Sequence, residues 1–577
     1  MFISHIIKEV SMKYSYVIHT PEENIFFDAD VFATQGEILT HGDYTLNVSV
    51  FKKRGYKVIE ASVFTNKEAE VYISLMGEGE AELYSFNGPC DKERIFRQSP
   101  HDYHNYHFKM EKSAIPMVAA VMNDNADIFI SDNPSFFDNA TTQHIIPEQN
   151  KFYLSSGDNG ETTNCEETDE FFPIFHKIDE ETPHTFRFIA MNTQASTLKQ
   201  VRRAAYKAIE AVWGEGSDSL YRAVCFAGNY MHIRKNESGT SEKWVVPGIQ
   251  YANCQYTRDA FYQSMILGAD MDEQCYRSLL KYEMLEAESP LIYLIWSYRL
   301  VKSGKPFNKA SADVAFRELI KCMDKHDDGG FYPNCREHGD FRNWFDICAF
   351  EEDDIDAYNQ GLCVCALECA KRLGYDIGER KKKAIVRYRS LFNGHYIPMS
   401  QKKQFLAVDV SVGEVIYYLL FDSVFVPHEM FRKTYRKIYD GPSRTPHGIK
   451  IVSAPDGSYL PLEAYGLNGY VHPGFNTLDT GRYANGGSYH VYEMLFHIAA
   501  YIHGVEDAEK NLINRLMIDL DYDGATHEYM HTVKGHGVKA NQGWNASIYA
   551  IWAELIKKGK ATDAFFKAAD AKMESME

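Results

Sequence analysis

Several features that define common protein classes are missing from this chain of 577 residues. Its eleven cysteines include no C-x-x-C pair, so neither a zinc-binding nor a disulfide framework is indicated. No segment approaches the ~18 consecutive apolar residues of a membrane span, and the N-terminus lacks the pattern of a signal peptide. We therefore expect a soluble, cytoplasmic protein without a membrane partner, whose thiols, including Cys363, Cys365 and Cys369, are reduced and buried.

Basic residues are the minority, because 61 Lys and Arg stand against 80 Asp and Glu, for a net charge of −19. This balance disfavours nucleic acid as a partner. Tryptophan is scarce at six residues, whereas 38 Tyr and 35 Phe raise the aromatic fraction to 14%. An acidic chain rich in tyrosine suits a neutral, hydroxyl-rich ligand, and it equally suits a solvated surface around aromatic cores.

Residues 1–195 are typical of β structure. Alternating segments such as YTLNVSVF and YKVIEASVF are separated by turn signals roughly every 8–12 residues. We predict a β-sandwich over 1–195. Ser196 is then the predicted N-cap of a helix that runs to Gly214, within a helical linker over 196–225.

Residues 226–577 are dominated by helical periodicity. The clearest segments are DAFYQSMILGA, PLIYLIWSYRLVKSG, SADVAFRELIKCMDKH, YNQGLCVCALECAKRLG, GEVIYYLLF, YHVYEMLFHIAAYIHG and GWNASIYAIWAELIKKG. Twelve helices at about 29 residues each would fill this length, which fits six inner and six outer helices in a double ring. An α-solenoid is the alternative, although no fixed repeat period supports it.

The first of four polar-aromatic clusters is YTRDAFY, with Tyr256, Arg258 and Asp259 just before a helix. Neighbouring Arg and Asp side chains can bind different hydroxyls of one polar ligand. The alternative is that Asp259 caps the helix while Arg258 forms a surface ion pair.

The second cluster is NWFD, in which Trp344 and Phe345 precede Asp346. A carboxylic acid beside an indole is poorly solvated when charged, and this raises its pKa toward what a general acid needs. The acidic run over 351–354 is more typical of a solvent-facing segment or of a helix N-terminus.

The third cluster is GRYANGGSYH, where Gly486 and Gly487 would allow a ligand to approach the backbone closely. The side chains around the two glycines are Tyr483, Asn485, Tyr489 and His490. A histidine at a helix start is also typical of a hydrogen-bonded structural residue.

The fourth cluster, HEYMHTVKGHGVKANQGWNAS, carries Glu528 and leads to Trp544 at the start of the last clear helix. A second carboxylate, far in sequence from Asp346, is what a two-carboxylate glycosidase requires. A zinc site on His527, His531 and His536 is the competing interpretation, which no cysteine pattern supports. We expect neither a metal nor another cofactor.

In this order the clusters resemble the (α/α)6 toroid enzymes of glycoside hydrolase family 63 and, more distantly, the family 15 glucoamylases. YTRDAFY is similar to the W/Y-x-R-D segment of those enzymes, which implies that Arg258 and Asp259 bind hydroxyls of the terminal sugar. NWFD and the HEYMHTVKGHG…GWNAS ending imply Asp346 as general acid and Glu528 as general base. The likeness spans roughly residues 245–555.

Two departures qualify the resemblance. His490 stands where those families usually have Trp-Pro, which affects substrate preference. Phe345 separates Trp344 from the acid, which leaves the acid assignment open to Glu351 or Asp353.

The sequence therefore predicts an inverting exo-glycosidase with a carbohydrate substrate, favouring an α-glucoside or a short α-gluco-oligosaccharide. Tyr256, Trp344, Tyr489 and Trp544 would form platforms for sugar faces, or else belong to the core. A glycoside phosphorylase is a rival that Glu528 disfavours, because its charge would repel phosphate. Other rivals are a toroid polysaccharide lyase or epimerase and a binding module. The oligomeric state stays open, with a homodimer as one option.

Overall fold

The computed structural model describes residues 12–86, 88–89, 115, 117–131, 143–146, 151–155, 175–231, 233–235, 243–248, 256–279, 286–325, 344–345, 348, 350–351, 353–465 and 479–575. They fall into two compact units. The first contains the described residues of Met1–Ser241, Gly248–Asn253 and Glu574–Glu577, and the second those of Glu242–Pro247 and Cys254–Met573. The segment 196–225 thus falls in the first unit.

The first unit is built on two antiparallel sheets. Its strands are β1 (Met12–His19), β2 (Asn24–Ala29), β3 (Gly36–His41), β4 (Tyr44–Lys53), β5 (Tyr56–Thr65), β6 (Ala69–Gly79), β7 (Glu82–Ser85), β8 (Gly88–Pro89), β9 (Met117–Met122), β10 (Asn125–Ser131), β11 (Gln143–Ile146), β12 (Lys151–Ser155), β13 (His176–Ile178) and β14 (His184–Gln194). One sheet has the order β11-β12-β6-β1-β2, with β13 also on β6. The other has the order β3-β4-β5-β14-β10-β9-β7-β8.

The two sheets share one apolar core. In β5, the buried Ile59, Ala61 and Val63 alternate with more exposed neighbours, as expected where one face of a strand is covered. Tyr16 and Leu75 from the other sheet belong to the same buried cluster. The alternating pattern in the sequence therefore marks a two-layer β arrangement.

Two helices, α1 (Leu198–Trp213) and α2 (Leu220–Met231), and the strand β15 (Ile233–Lys235) complete the first unit. The N-cap of α1 is Thr197, so the prediction of Ser196 is wrong by one residue. The hydroxyl of Thr197 accepts from the Gln200 amide at 3.3 Å, and the Gln200 side chain accepts from the Thr197 amide at 3.3 Å. This reciprocal pair is a capping box, and Gly214 ends the helix as predicted.

The second unit is mainly helical. Its helices are α3 (Thr257–Ser264), α4 (Ala269–Leu279), α5 (Ser289–Lys302), α6 (Lys309–Asp324), α7 (Ala357–Arg372), α8 (Arg380–Ser390), α9 (Val412–Phe421), α10 (His428–Tyr439), α11 (His490–Ile502), α12 (Ala508–Asp523), α13 (Ser547–Lys557) and α14 (Ala564–Glu574). Its short strands are β16 (Lys243–Val245), β17 (Leu406–Ala407), β18 (Arg444–Thr445), β19 (Gly448–Ile449), β20 (Val452–Ser453), β21 (Ser488–Tyr489), β22 (His527–Met530) and β23 (Gly537–Ala540).

Alternate helices contact each other in a closed circuit. The contacts run from α3 to α5, α7, α9, α11 and α13, and α13 contacts α3 again. The helices α4, α6, α8 and α12 each pack on the circuit member that precedes them. At one crossing α7 and α9 meet through glycines, since a Cβ on Gly413 would come within 2.2 Å of the Gly361 backbone.

The cysteines of the described residues agree with the sequence prediction, because all of them are free and buried: Cys225, Cys275, Cys322, Cys348, Cys363, Cys365 and Cys369.

Within the described residues, the structure contains no helix with both the length and the apolar character needed to cross a lipid bilayer.

Candidate active site

The first turn of α3 places a buried arginine among three carboxylates. Arg258 Nη1 donates to Glu286 Oε1 at 2.9 Å and to Glu288 Oε1 at 2.6 Å, and Nη2 donates to Asp259 Oδ2 at 3.2 Å. Glu286 and Glu288 lie immediately before α5. We call Arg258, Asp259, Glu286 and Glu288 the Arg258 cluster. It brings the starts of two contacting helices together around one cation.

The two structural alternatives for the YTRDAFY segment are both wrong. Tyr256 is the N-cap of α3, with an extended backbone, so Asp259 is not the capping residue. Arg258 is buried at 6% exposure rather than paired at the surface. Every residue of α3 is buried, so these polar side chains belong to the interior of the helical unit.

The charges within the Arg258 cluster do not balance, because one guanidinium meets three carboxyl groups. Burial raises the pKa of Asp259 to about 7, against the lowering effect of Arg258 and with further raising by Glu286 and Glu528. Burial and the neighbouring Glu286 also raise the pKa of Glu288. The cluster therefore holds carboxyl protons near neutral pH, and a protonated carboxyl can donate as well as accept hydrogen bonds.

An aromatic group lines the region beside this cluster. The Trp344 ring stacks on Tyr492 with centroids 4.1 Å apart and meets Tyr489 edge-on at 5.4 Å. Trp544 lies 5.6 Å from Tyr492, and the Arg258 guanidinium sits 5.6 Å from the Trp544 ring. The structure thus brings three predicted residues, Trp344, Tyr489 and Trp544, into contact with one group of rings next to Arg258. Tyr256, half-buried, lies at the N-cap of the same helix as Arg258.

Trp344 is fixed by a carboxylate that the sequence analysis did not identify. Its indole N–H donates to Asp409 Oδ2 at 2.7 Å. Asp409 is buried in a short 3-10 turn, Asp409–Ser411, just before α9, and burial raises its pKa to about 6. Because a buried indole N–H needs an acceptor, Asp409 sets the orientation of the ring.

Glu528 lies on β22 and is 3% exposed. Lys539 Nζ, from β23, forms an ion pair with Glu528 Oε2 at 3.0 Å, and this oxygen has no hydrogen-bond partner among the described residues. Glu528 also acts electrostatically on Asp259 as a neighbouring like charge. The predicted base therefore lies within electrostatic reach of the Arg258 cluster, although it is distant from that cluster in sequence.

Buried polar atoms that lack a hydrogen-bond partner concentrate here. Among the described residues, those of the Arg258 cluster and its surroundings are Arg258 Nε, Glu286 Oε2, Glu288 Oε2, Tyr358 Oη, Tyr492 Oη, Glu528 Oε2 and Trp544 Nε1. Buried polar groups are nearly always paired in folded proteins, so such a concentration indicates groups that a ligand or water satisfies. The set contains both donors and acceptors.

A second buried arginine lies among different partners. Arg515 Nε donates to Glu493 Oε2 at 2.8 Å and Nη1 donates to Asp519 Oδ2 at 2.6 Å. Asp519 is also 2.5 Å from His490 Nδ1 and 3.3 Å from His527 Nδ1. We call Arg515, Glu493, Asp519, His490 and His527 the Arg515 cluster. It holds β22 from the face opposite Glu528, because adjacent strand residues point to opposite faces.

His490 was predicted to bind substrate, and the structure places it in the Arg515 cluster instead of beside Arg258. Its side chain is fully buried at the start of α11, on Asp519 of α12. This is the hydrogen-bonded structural role that the sequence analysis gave as the alternative.

Gly486 and Gly487 of the third cluster pack closely against other groups of the protein. A Cβ on Gly486 would lie 2.7 Å from the Tyr459 ring, and a Cβ on Gly487 would lie 2.6 Å from the Tyr483 carbonyl oxygen. The close approach expected for a ligand is therefore made by neighbouring protein groups. Asn485 is buried in this turn, where its side chain accepts from Tyr465 Oη at 3.3 Å.

The candidate acid Asp346 lies outside the described residues, although Trp344 and Phe345 before it are described and buried. Both alternatives to it are placed at the surface. Lys402 Nζ binds Glu351 at 2.6 Å and Asp353 at 2.5 Å, with the two carboxyl side chains 71% and 68% exposed. Exposure leaves their charged forms well solvated, so neither suits a general acid.

Sequence reasoning missed Glu286, Glu288, Asp409 and Tyr492. The sequence EAESP before an apolar helix resembles an ordinary acidic helix start. The one available signal was that Glu286 and Glu288 are two positions apart and both precede the same helix, which indicates that they could share a partner. Asp409 carries no comparable local signal.

The three histidines of the competing zinc interpretation, His527, His531 and His536, do not face a common point. His527 faces Asp519 and Asp523, whereas the His531 and His536 rings lie 5.0 Å apart. The described part of the chain contains no group of three or more His, Cys, Asp or Glu side chains placed to hold a metal ion.

No protein-family model matches the chain. No curated protein matches it either. Solved structures do match. A bacterial glucoamylase complexed with acarbose is 10% identical, with 97% of this chain and 90% of that chain covered at a TM-score of 0.40. The family 63 mannosylglycerate hydrolase from Thermus thermophilus, in complex with glucose, is 11% identical, with coverages of 54% and 95% and a TM-score of 0.37.

These solved structures come from the two families that the four motifs resemble.

Proposed function

We propose that this protein is an inverting exo-glycosidase acting on an α-glucoside or a short α-gluco-oligosaccharide. In this proposal the circuit of α3, α5, α7, α9, α11 and α13 forms the inner ring of an (α/α)6 toroid, with α4, α6, α8, α10, α12 and α14 outside it. The closed sequence of helix contacts supports this arrangement.

One observation carries the function: unpartnered donors and acceptors of the Arg258 cluster are buried beside the ring group of Trp344, Tyr492 and Trp544. A sugar presents hydroxyls around its edge and apolar C–H groups on its faces. It therefore satisfies polar atoms and aromatic faces together. A purely apolar ligand would leave the polar atoms unpaired at high cost.

The proposed roles divide proton transfer between two carboxyl groups. Glu528, held beside Lys539, takes a proton from a water molecule whose oxygen attacks the anomeric carbon. Asp346 gives its proton to the glycosidic oxygen as the bond from that oxygen to the anomeric carbon breaks. Attack from the face opposite the leaving group inverts the configuration, and this requires carboxyl groups ~6.5–9.5 Å apart. Arg258 and Asp259 bind hydroxyls of the terminal sugar.

The test screens aryl glycosides and natural disaccharides while NMR follows the anomeric configuration of the released sugar. We expect inversion, and a loss of kcat of roughly 10²–10⁴-fold in both Glu528→Gln and Asp346→Asn. Glu351→Gln is the matched control, because Glu351 is exposed and belongs to the same acidic region as Asp346.

Full turnover in both catalytic variants would refute the assignment of the two carboxyl groups. A product that forms only with inorganic phosphate present would identify a phosphorylase instead. Sugar binding without cleavage by the wild type would favour a binding module.

A further inference from the structure

Lys539 stands directly across from Glu528 in the β22–β23 hairpin. The strands pair His527 with Ala540 and Tyr529 with Val538, so residue 539 is the cross-strand neighbour of residue 528. Directly opposed residues of an antiparallel pair share one face and lie within side-chain contact. The 3.0 Å separation of Lys539 Nζ and Glu528 Oε2 follows from this register.

The backbone of Lys539 is unusual for a lysine. Its φ is +55°, in the left-handed region that residues with a side chain rarely adopt, and Asn541 nearby has φ +58°. The Lys539 side chain is 3% exposed. A long cationic side chain is seldom buried without a charged partner, and here the partner is the proposed base. The hairpin thus keeps a cation inside the unit despite an unfavourable backbone conformation.

The charged groups around Glu528 come from several elements. Asp259 from α3 is a like charge within electrostatic reach of Glu528, and Lys539 Nζ from β23 is an opposite charge 3.0 Å from Glu528 Oε2. His527, the adjacent residue on β22, points away toward Asp519 and Asp523. The Tyr483 ring lies 6.0 Å from Lys539 Nζ. Lys539 thus places a buried positive charge directly against the proposed base.

We propose that Lys539 is a positioning residue whose buried ammonium holds the Glu528 carboxylate in place and supplies the positive charge that this carboxylate faces. This inference rests on the proposed glycosidase function. A protonated carboxyl cannot accept a proton from water, so the loss of a cation beside the proposed base should weaken activity most at acidic pH.

The first experiment compares the pH dependence of kcat/KM in the wild type, Lys539→Met and Lys539→Arg. Removing the cation should move the acidic limb of Lys539→Met upward by about one pH unit or more, which is roughly a tenfold loss at any pH on that limb. Lys539→Arg keeps the charge and should restore most of the wild-type profile. Lys534→Met is the matched control, because Lys534 lies between the same two strands but pairs at the surface with Asp479.

An acidic limb of Lys539→Met that coincides with that of the wild type would overturn the proposal. A uniform loss at every pH, not restored by Lys539→Arg, would also overturn it, since packing rather than charge would then be responsible.

The second experiment separates this inference from the proposed function, because it needs no substrate. Chemical unfolding is measured at pH 5 and pH 8 for Glu528→Gln, Lys539→Met and the double variant. Lys539→Met should be more destabilised at pH 8, where an unpaired Glu528 carries charge, and Glu528→Gln should remove that pH dependence. Equal effects of Lys539→Met at both pH values, with or without Glu528, would refute the ion pair even if the enzyme is a glycosidase. If the wild type cleaves no glycoside, the proposed function fails while this cycle still decides the pairing.

Discussion

The Arg258 and Arg515 clusters of the helical unit both bury one arginine among carboxylates, and they differ in how completely the partners are satisfied. In the Arg515 cluster, Asp519 accepts from Arg515 and contacts two histidines, and the charge of Arg515 together with these histidine contacts lowers its pKa despite burial. In the Arg258 cluster, burial outweighs the lowering effect of Arg258 and raises the pKa of Asp259 to about 7.

This difference separates the supporting role of the Arg515 cluster from the proposed ligand-binding role of the Arg258 cluster. Most donors and acceptors in the Arg515 cluster form hydrogen bonds with one another, so the network stabilises β22 and α11. The Arg258 cluster leaves Glu286 Oε2 and Glu288 Oε2 unpaired, and their burial without partners costs stability. Residual hydrogen-bonding capacity, rather than charge or burial, is what distinguishes the candidate site.

The largest expected effect comes from removing each arginine. Arg515→Met should lower the free energy of unfolding by about 3–5 kcal/mol, because it leaves Asp519 and Glu493 buried without their cation. Arg258→Met should cost less at pH 5, since Asp259 and Glu288 already take up protons there. Urea unfolding at pH 5 and pH 7 measures both.

Arg277→Met is the control for these two variants, because Arg277 is 61% exposed and pairs with Glu273 on α4. Equal losses for Arg515→Met and Arg258→Met at pH 5 would remove the distinction between the two clusters.

A smaller effect is expected in the pH dependence of stability, because the two clusters should lose stability over different pH ranges. The pKa of Asp259 rises on folding from 3.8 to about 7, so the folded state binds more protons and stability falls as pH rises through this window. Burial lowers the pKa of His527, but the neighbouring Asp523 and Asp519 outweigh it and raise this pKa from 6.5 to about 9. Its contribution is complete below pH 6.5 and is lost as pH rises to about 9.

Asp259→Asn should therefore flatten the decline of stability between pH 4 and 7, and His527→Gln the decline between pH 6.5 and 9. By the size of these shifts, each change should amount to at most about 3–4 kcal/mol in unfolding free energy. Unfolding titrations across both windows check this, and a change in the opposite window for either variant would contradict the charge assignments.

The smallest effect is expected at the surface. Lys402 binds Glu351 and Asp353 in an exposed group, where solvent screens the charges. Lys402→Met should leave Tm unchanged within error, and Glu351→Gln and Asp353→Asn should leave kcat unchanged. A large loss of kcat in either acidic variant would return these residues to the list of candidate acids.

The sequence predicted every member of the helix circuit and missed most helices that pack outside it. The helix α7 is buried from Ala357 to Ala370, so its continuous apolar character was evident. By contrast, α8 buries only Ala384 and Tyr388 and is otherwise rich in Lys and Arg. The narrow apolar stripe of α8 gives weak periodicity. The helices α4, α10, α12 and α14 were not identified either, although the buried Phe431, Tyr435 and Ile438 of α10 recur at helical spacing.

In the candidate site, the sequence identified residues with strong local patterns and missed those defined by partners. Arg258, Trp344 and Glu528 stand in short polar-aromatic motifs, which made them visible. The role of Asp409 follows only from the hydrogen bond that it accepts from Trp344, which is 65 positions away in sequence. Local patterns cannot reveal a hydrogen bond between distant segments.

By itself, the sequence determined the change from alternating strands to helices, the buried helices of the circuit and the locations of the polar-aromatic motifs, because these depend on local periodicity and residue chemistry. Only the tertiary structure decided which of two buried arginines is surrounded by unsatisfied groups, that His490 supports Asp519, and that Lys539 faces Glu528. The physical reason is that burial and pairing set the charge state of an ionisable group, and both arise from residues brought together by folding.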